Sequence, residues 1–367
     1  MKDIGIYIHV PFCERKCLYC DFYSVTDQDL VDKYVDEIVT EIKKNASNHL
    51  DKIVKTIYFG GGTPSILSVA NLEKIFNAIT KYFSVNLKEA TIEVNPNSAE
   101  NIKLYPKIGF NRLSIGVQST DDVILKKLGR LHDSAQAIKT LDEAGEFFDN
   151  LSADLIIGVD DNQNVIADLD LILPKVTHLS SYILKIEAGT PLNLLVNDNL
   201  VSVATEDSTV SQYDLMYDTC NKFGFYRYEV SNFSHLGKES LHNLSYWRMV
   251  DYLGFGPSAY SYIDGVRYYN SNSLSDYCNG KHSGYGMQVL ERPYSVQEDM
   301  KEYVMLALRT TEGLILSDFK LRYNLDYIDT HLSAVKKMGE YLSVSDDRIA
   351  IHPEFFLVQN YIIRELL

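Results

Sequence analysis

Three cysteines with the spacing of a metal-binding loop lie near the start of the sequence. Cys13, Cys17 and Cys20 form the pattern Cys-x3-Cys-x2-Cys directly after an apolar run at residues 4–10, which predicts a first strand. One turning loop with these spacings can bring three thiolates to three corners of an iron–sulfur cube, as the short cysteine spacings of ferredoxins do. The fourth iron then has no protein ligand, and an open coordination position on a metal indicates a bound substrate or cofactor.

A zinc site is the alternative that this spacing leaves open. Structural zinc takes four Cys or His ligands, and His9 is the only nearby residue that could supply the fourth. Because His9 lies inside the predicted strand, an iron–sulfur cluster is the favoured interpretation. Arg15 and Lys16, within the loop, add positive potential that favours thiolates.

Further polar and glycine-rich motifs end the next three predicted strands. Glycines 60–62 and Thr63 end the second strand, and glycines let the backbone approach a ligand closely because they lack Cβ atoms. Glu93 lies at the end of the third strand and Gln118 at the end of the fourth. Since the carboxyl ends of parallel strands meet at one edge, we expect these groups to share a site with the cysteine loop. Each motif also has an alternative interpretation. The glycines could form a plain tight turn, Glu93 could pair with a helix cation, and Gln118 could cap a helix.

The elements that position these motifs alternate between strand and helix. Apolar runs predict strands over residues 4–10, 56–59, 90–94, 112–117, 153–158 and 179–186. Helical periodicity predicts helices over residues 29–44, 69–83, 99–108, 121–128, 134–147, 164–173 and 206–223. This alternation implies parallel strands with right-handed crossovers. Six units are too few for an eight-fold barrel, so the predicted α/β fold is a partial (β/α)6 barrel.

The remainder of the chain predicts two further regions after a barrel over residues 1–230. Residues 231–294 are rich in Tyr, Asn, Ser and Gly, which predicts loops and short strands that cover one face of the barrel. Residues 295–367 predict a small, mostly helical, winged-helix-like domain, with helices over 296–310, 317–323, 331–338 and 354–366 and a hairpin over 342–351. Residues 296–367 hold 8 Lys and Arg against 12 Asp and Glu, so we expect packing or partner docking instead of DNA binding.

Composition limits the class of protein. A chain of 367 residues with 46% hydrophobic residues can bury a large core, yet its apolar runs are shorter than the roughly 20 residues that span a bilayer. The first residues do not resemble a secretory signal, so we expect a cytoplasmic protein with reduced thiols. A net charge of −15 disfavours nucleic acid as a partner. Cys220 is predicted to be a buried side chain on a helix, and Cys278 to lie in a polar loop without a partner.

The cysteine loop resembles that of the radical S-adenosylmethionine (SAM) superfamily. With the segments 8–13, 60–65 and 113–119, the chain resembles the branch of oxygen-independent coproporphyrinogen III oxidases from about residue 4 to its end. The resemblance implies a [4Fe–4S] cluster on Cys13, Cys17 and Cys20, with SAM bound beside it. The residues that the resemblance assigns to SAM are Tyr7, Tyr19, Gly61, Gly62, Thr63, Glu93, Gln118, Arg130 and Asp154.

Three features of the chain resemble the haem-chaperone group of that branch. The oxidases carry a fourth cysteine, Cys-x3-Cys-x2-Cys-x-Cys, and a longer segment before the cluster, whereas here Asp21 and Phe22 follow Cys20 and twelve residues precede Cys13. The segment 242–247, His-Asn-Leu-Ser-Tyr-Trp, resembles the haem-binding motif of the chaperones. The resemblance implies that His242 ligates haem iron while flanking aromatic rings cover the porphyrin. On spacing alone, a lone histidine in a polar loop is more often a surface residue.

The resemblance therefore implies a haem chaperone that hands haem to haem-dependent proteins, commonly respiratory membrane proteins. Such a protein would be cytoplasmic and at times peripheral at the membrane. Two enzymatic alternatives stay open. One is oxidative decarboxylation of coproporphyrinogen III to protoporphyrinogen IX after reductive cleavage of SAM, and the other is a radical SAM reaction on an unrelated substrate.

Overall fold

A computed structural model describes residues 2–280, 288–289 and 295–367 of the chain. Its centre is a sheet in which six parallel strands follow one another in sequence order. These strands are β1 (Lys2–Val10), β2 (Lys52–Gly61), β3 (Val85–Val94), β4 (Arg112–Gln118), β5 (Leu151–Ile157) and β6 (His178–Ile183). The predicted (β/α)6 arrangement is confirmed.

Helices connect the strands and pack on the outside of the sheet. They are α1 (Val31–Ala46), α2 (Val69–Tyr82), α3 (Tyr105–Ile108), α4 (Asp122–Leu128), α5 (Ser134–Gly145), α6 (Val165–Ile172), α7 (Pro191–Asn197) and α8 (Glu206–Lys222). In β1, alternate residues Ile4, Ile6, Ile8 and Val10 are buried in the core that the sheet shares with these helices. Burial of this apolar layer fixes which face of β1 points outward, so the intervening Tyr7 and His9 point to the inside of the arc.

The predicted helix over residues 99–108 was wrong in its first half. The structure has a 3-10 turn at Ile102–Leu104 and then the single-turn helix α3. Pro106 explains the break, because it lacks the N–H that a continuous helix would need there and is tolerated only in a first turn. Helix α7 was not predicted; Pro191 opens it, and the Thr190 hydroxyl caps it by accepting a hydrogen bond from the Asn193 amide (3.3 Å).

Short strands widen the sheet at both of its edges. They are β7 (Tyr226–Arg227), β8 (Asn232–Ser234), β9 (Tyr252–Phe255), β10 (Tyr260–Ile263), β11 (Val266–Tyr269) and β12 (Gln288–Val289). Strand β9 pairs with β1 in parallel, and β8 pairs with β6 antiparallel. The strands within 231–294 thus add to the edges, where we expected them to lie over one face; part of that segment lies outside the described residues. The boundaries at 230 and 294 stay predictions.

Two helices in this region carry residues that the sequence singled out. They are α9 (Leu241–Trp247), which holds His242, and α10 (Leu274–Cys278). Cys278 was predicted in a polar loop, but it ends α10 and is buried in the main core. Cys220 is buried on α8, as predicted.

The C-terminal region has a core of its own. Its elements are α11 (Val296–Ala307), β13 (Leu314–Ile315), α12 (Leu316–Tyr323), α13 (Tyr327–Lys337), β14 (Leu342–Val344), β15 (Arg348–Ile351) and α14 (Gln359–Leu366). The predicted hairpin is the antiparallel pair β14–β15, and β13 adds a third strand that is too short to give a sequence pattern. Within the described residues, no helix is both long and apolar enough to cross a bilayer.

A buried arginine joins the barrel to this C-terminal region. The Arg227 guanidinium lies 3.8 Å from the centre of the Phe356 ring and donates hydrogen bonds to the Tyr213 hydroxyl (2.6 Å) and the Pro353 carbonyl (2.6 Å). We expect Arg227→Met to lower the free energy of unfolding by roughly 2–4 kcal/mol, because both acceptors lose a charged donor away from water. Urea-induced unfolding followed by circular dichroism measures the change.

Arg248 supplies the matched control for Arg227. It also reaches the C-terminal region, through a salt bridge to Glu312 (2.8 Å), but both side chains are about half exposed. Arg248→Met should cost less than about 1 kcal/mol because water screens the pair. Equal losses in the two variants would contradict the role given to Arg227.

Candidate functional site

The carboxyl ends of the parallel strands open into a cavity of about 550 Å³, here called the cysteine cavity. All three loop cysteines line it. So do most of the residues assigned to SAM by resemblance, namely Tyr19, Gly61, Gly62, Thr63, Glu93, Gln118, Arg130 and Asp154. Tyr7 is the exception: it lines a second cavity of about 560 Å³, which shares Asp21 and Phe22 with the first. The fold therefore brings together motifs that lie as much as 141 residues apart, Cys13 and Asp154.

Backbone contacts hold the cysteine loop against neighbouring segments of the chain. The Cys13 amide donates to the Val25 carbonyl (2.9 Å), and the Leu18 amide donates to the Leu128 carbonyl at the end of α4 (3.1 Å). Gly62 packs so closely that a Cβ atom there would lie 2.6 Å from the Phe12 carbonyl oxygen. Gly62 is thus required by the close approach of the β2 end to the cysteine loop.

Arg130 links two of the cysteines through a hydrogen-bonded path. Its guanidinium donates to Cys17 Sγ (3.4 Å) and to Asn95 Oδ1 (2.6 Å). Asn95 in turn donates to the Thr63 hydroxyl (2.9 Å), which donates to Cys13 Sγ (3.6 Å). Arg130 Nε is buried without a hydrogen-bond partner among the described residues, so a donor remains for a ligand.

Helix α4 ends in a way that aims Arg130 at this site. Gly129 adopts a left-handed conformation (φ 75°) after α4, and the chain turns back so that Arg130 also donates to the Gly116 carbonyl (2.8 Å). A Cβ atom on Gly129 would meet the Leu18 side chain at 2.7 Å. Asn95 was not assigned a role from the sequence; its place directly after the end of β3 was the signal available.

The loop fits an iron–sulfur cluster better than it fits zinc. Within residues 2–280, 288–289 and 295–367, no three Cys, His, Asp or Glu side chains converge closely enough to hold a single metal ion. A cube of four irons needs wider spacing of its ligands. Both ring nitrogens of His9 are engaged, Nδ1 with the Tyr7 hydroxyl (3.2 Å) and Nε2 with the Tyr23 carbonyl (2.9 Å), and His9 lines the second cavity.

Burial keeps two thiols of the loop, those of Cys13 and Cys20, protonated. It raises the pKa of Cys13 and raises the pKa of Cys20 to about 11, because the thiolate loses solvation. Iron binds the thiolate, so assembly of a cluster must release the protons of Cys13 and Cys20.

Glu93 reaches into the cysteine cavity from β3. It accepts hydrogen bonds from the Tyr58 hydroxyl (2.7 Å) and the Gly61 amide (3.3 Å). The charged groups that act on Glu93, Asp154 and Arg112, lie on strands β5 and β4, and no helix cation among the described residues pairs with it. Burial, aided by the charge of Asp154, raises the pKa of Glu93 to about 7. A carboxylate held there suits hydrogen bonds from ribose hydroxyls.

The raised pKa of Glu93 predicts a pH dependence of stability. The folded chain keeps a proton on Glu93 that the unfolded chain loses near the ordinary value of 4.5, so the stabilisation present below that pH is lost as pH rises through about 7. The loss is up to about 3 kcal/mol. The free energy of unfolding, relative to Glu93→Gln, should fall between pH 5 and pH 8. A difference that stays constant over this range would contradict the assignment.

Gln118 ends β4 in an unusual conformation. Its φ of 67° lies in the left-handed region that non-glycine residues seldom adopt, and the pairing of β4 with β5 shifts register between Ile115 and Gln118. Strained backbone of this kind is concentrated at binding sites, where the surroundings hold it in place. This supports ligand contact by Gln118 over a simple capping role.

His242 is buried inside the barrel, not at a surface. Only 1% of it is exposed. Nδ1 contacts the Thr56 hydroxyl (2.8 Å) and Nε2 contacts the Tyr246 hydroxyl (2.8 Å), so both ring nitrogens have partners. Burial, with the charge of Arg112, lowers the pKa of His242 to about 3, which keeps the ring neutral. Ligation of an iron by Nε2 would require Tyr246 to move away.

Comparison with known proteins agrees with these features. The family model of the radical SAM superfamily matches residues 7–172. The chain is 32% identical to "Heme chaperone HemW" of Lactococcus lactis, over 96% of this chain and 93% of that protein. It is 31% identical to the protein of the same name from Bacillus subtilis, over 94% of each. The solved structure of coproporphyrinogen III oxidase (HemN) from Escherichia coli has the same fold, with a TM-score of 0.83 at 19% identity, over 100% of this chain and 90% of that one.

Proposed function

We propose, because this chain belongs to the HemW family of the radical SAM superfamily, that it is a haem chaperone that binds haem and delivers it to haem-dependent proteins. Membership of the superfamily implies two cofactors, a [4Fe–4S] cluster and SAM. The proposed recipients are respiratory proteins of the membrane, which the chain would meet from the cytoplasm.

The observation that carries this proposal is the continuation of the cysteine loop. Where the oxidase pattern has its fourth cysteine, this chain has Phe22, which is 63% exposed and lines both cavities together with Asp21. An exposed aromatic ring at this position offers a flat apolar surface to a porphyrin instead of a sulfur ligand. The likeness over nearly the whole length of named haem chaperones supports the same interpretation.

The residues of the cysteine cavity have distinct proposed roles. Cys13, Cys17 and Cys20 hold the cluster, and Arg130 with Thr63 donates hydrogen bonds toward its sulfur ligands. Glu93 accepts hydrogen bonds from the ribose hydroxyls of SAM. Tyr19, Gly61, Gly62, Gln118 and Asp154 complete the SAM site, and their common cavity supports this. When bound, the cluster supplies electrons that can cleave SAM.

An anaerobic assay of the reconstituted protein tests the proposal. Haem should bind tightly and pass to an added apo-haem protein, without conversion of coproporphyrinogen III to protoporphyrinogen IX. Turnover of coproporphyrinogen III would instead identify an oxidase, the activity named for the Escherichia coli structure. Failure of the protein to bind haem at all would also overturn the proposal.

A further inference from the structure

We infer that haem binds in the second cavity, here called the tyrosine cavity, and that His242 positions Tyr246 there instead of ligating the iron. This inference rests on the proposed haem-chaperone function. The rings that define the tyrosine cavity are those of Tyr7, Tyr23, Tyr246, Tyr252, Tyr260 and Tyr262.

The size and lining of the tyrosine cavity fit a flat, mostly apolar macrocycle. Its volume of about 560 Å³ lies within the range of roughly 300–1,000 Å³ that is usual for cofactor pockets. Met249, Val250 and Leu306 add apolar surface between the tyrosine rings. Aromatic rings bind a porphyrin face through stacking and edge contacts.

His242 lies behind the wall of this cavity. It does not line the cavity, whereas Tyr246, one helical turn later on α9, does. The imidazole is stacked on Tyr58, with ring centroids 5.2 Å apart, and is hydrogen-bonded to Thr56 and Tyr246. These contacts hold the imidazole in place. Of the hydrogen-bonded pair His242 and Tyr246, only Tyr246 lines the cavity and faces a ligand there.

The backbone of α9 is fixed as firmly as the imidazole. The buried carboxylate of Glu89, on β3, accepts hydrogen bonds from the amides of Leu241 (2.9 Å) and His242 (3.0 Å). A movement of His242 toward the cavity would break these bonds and leave a buried carboxylate unpaired, which is costly. The contacts of Leu241 and His242 therefore hold α9, and with it Tyr246, rigidly in place.

The position of the tyrosine cavity puts haem beside the cluster. Asp21 and Phe22, which follow Cys20 directly, line both cavities and form their common border. On the far side, the cavity is bounded by the C-terminal region, since Leu306 lies on α11 and Arg267 of the lining pairs with Glu302 of the same helix. Haem in this place would contact the barrel edge, the cluster loop and the C-terminal helix together.

Haem titration of variant proteins tests the inference. Tyr260→Ala and Tyr252→Leu should each weaken haem binding about 10-fold, the loss expected when a stacking ring is removed from a binding site. Iron and SAM content should stay unchanged. Tyr260 is 50% exposed, so its substitution does not endanger folding; Tyr361→Ala, on α14 and 44% exposed, is the matched control and should bind haem normally.

The absorption spectrum of bound haem separates the two roles of His242. If His242 does not ligate the iron, His242→Gln removes no imidazole ligand, and the Soret band should stay where it is. Tyr246→Phe should shift the band. A Soret shift in His242→Gln, together with normal affinity in Tyr260→Ala and Tyr252→Leu, would overturn the inference while leaving the chaperone function intact. No haem binding by the unmodified protein would instead reject the function itself.

Discussion

Cys17→Ala is expected to abolish iron and SAM binding together. The loop offers three thiolates to the cluster, and a cube held by two of them loses a corner iron and falls apart. The iron content of the anaerobically reconstituted variant should fall to a small fraction of the about four irons per chain that a complete cluster supplies. SAM should then no longer bind measurably, because the open iron is one of its anchors. Iron analysis, the visible absorption of the cluster and equilibrium dialysis with labelled SAM measure the three effects.

The chain carries its own control for this experiment. Cys220 is buried on α8 in the main core and lies outside the cysteine cavity, so Cys220→Ala removes one thiol without touching the loop. It should keep the full iron content and lose only the stability that a small core cavity costs, about 1 kcal/mol. Normal iron content in Cys17→Ala, or loss of iron in Cys220→Ala, would contradict the assignment of the cluster.

The order of the barrel strands could be predicted because its signals are local. Each of β1–β6 is an apolar run followed by a helical stretch, and each strand pairs with its neighbour in the sequence. The candidate site followed from the same rule, since parallel strands bring their carboxyl ends to one edge. Glu93, Gln118 and the cysteine loop all follow strand ends, and they line one cavity in the structure.

The environment of His242 could not be predicted, because its partners lie far away in the sequence. Thr56 is 186 residues before it, and Glu89, whose carboxylate holds its amide, is 153 residues before it. The pairing of β9 with β1, which brings α9 under the barrel, also joins strands that are distant in the chain. Periodicity within a segment says nothing about such pairings, so spacing alone favoured a surface position for His242.

Tyr7 shows the same limit on a smaller scale. Alternation in β1 turns Tyr7 inward, away from the isoleucines that face the helices. Which of two neighbouring cavities it enters depends on β9 and α9, whose positions the local pattern of β1 does not contain. Its assignment to SAM stays a prediction that came from resemblance.

Arg130→Gln is expected to weaken SAM binding about 10- to 100-fold, the usual cost of losing a group that orients metal ligands. The guanidinium bridges Cys17 and Asn95, and through Asn95 and Thr63 it reaches Cys13, so one substitution loosens two ligands of the cluster. Arg130→Lys keeps the charge but lacks the planar fork, and it should recover only part of the affinity. Calorimetric titration of the reconstituted protein with SAM measures the change.

Lys127→Gln is the matched control for Arg130→Gln. It removes one positive charge from the preceding helix, where Lys127 pairs with Asp160 (2.6 Å) outside the cysteine cavity. If the site responded only to net charge, both variants would weaken SAM binding equally, whereas a geometric role confines the effect to Arg130. Equal affinities in Arg130→Gln and unmodified protein would mean that the path from Arg130 to the two cysteines has no part in binding SAM.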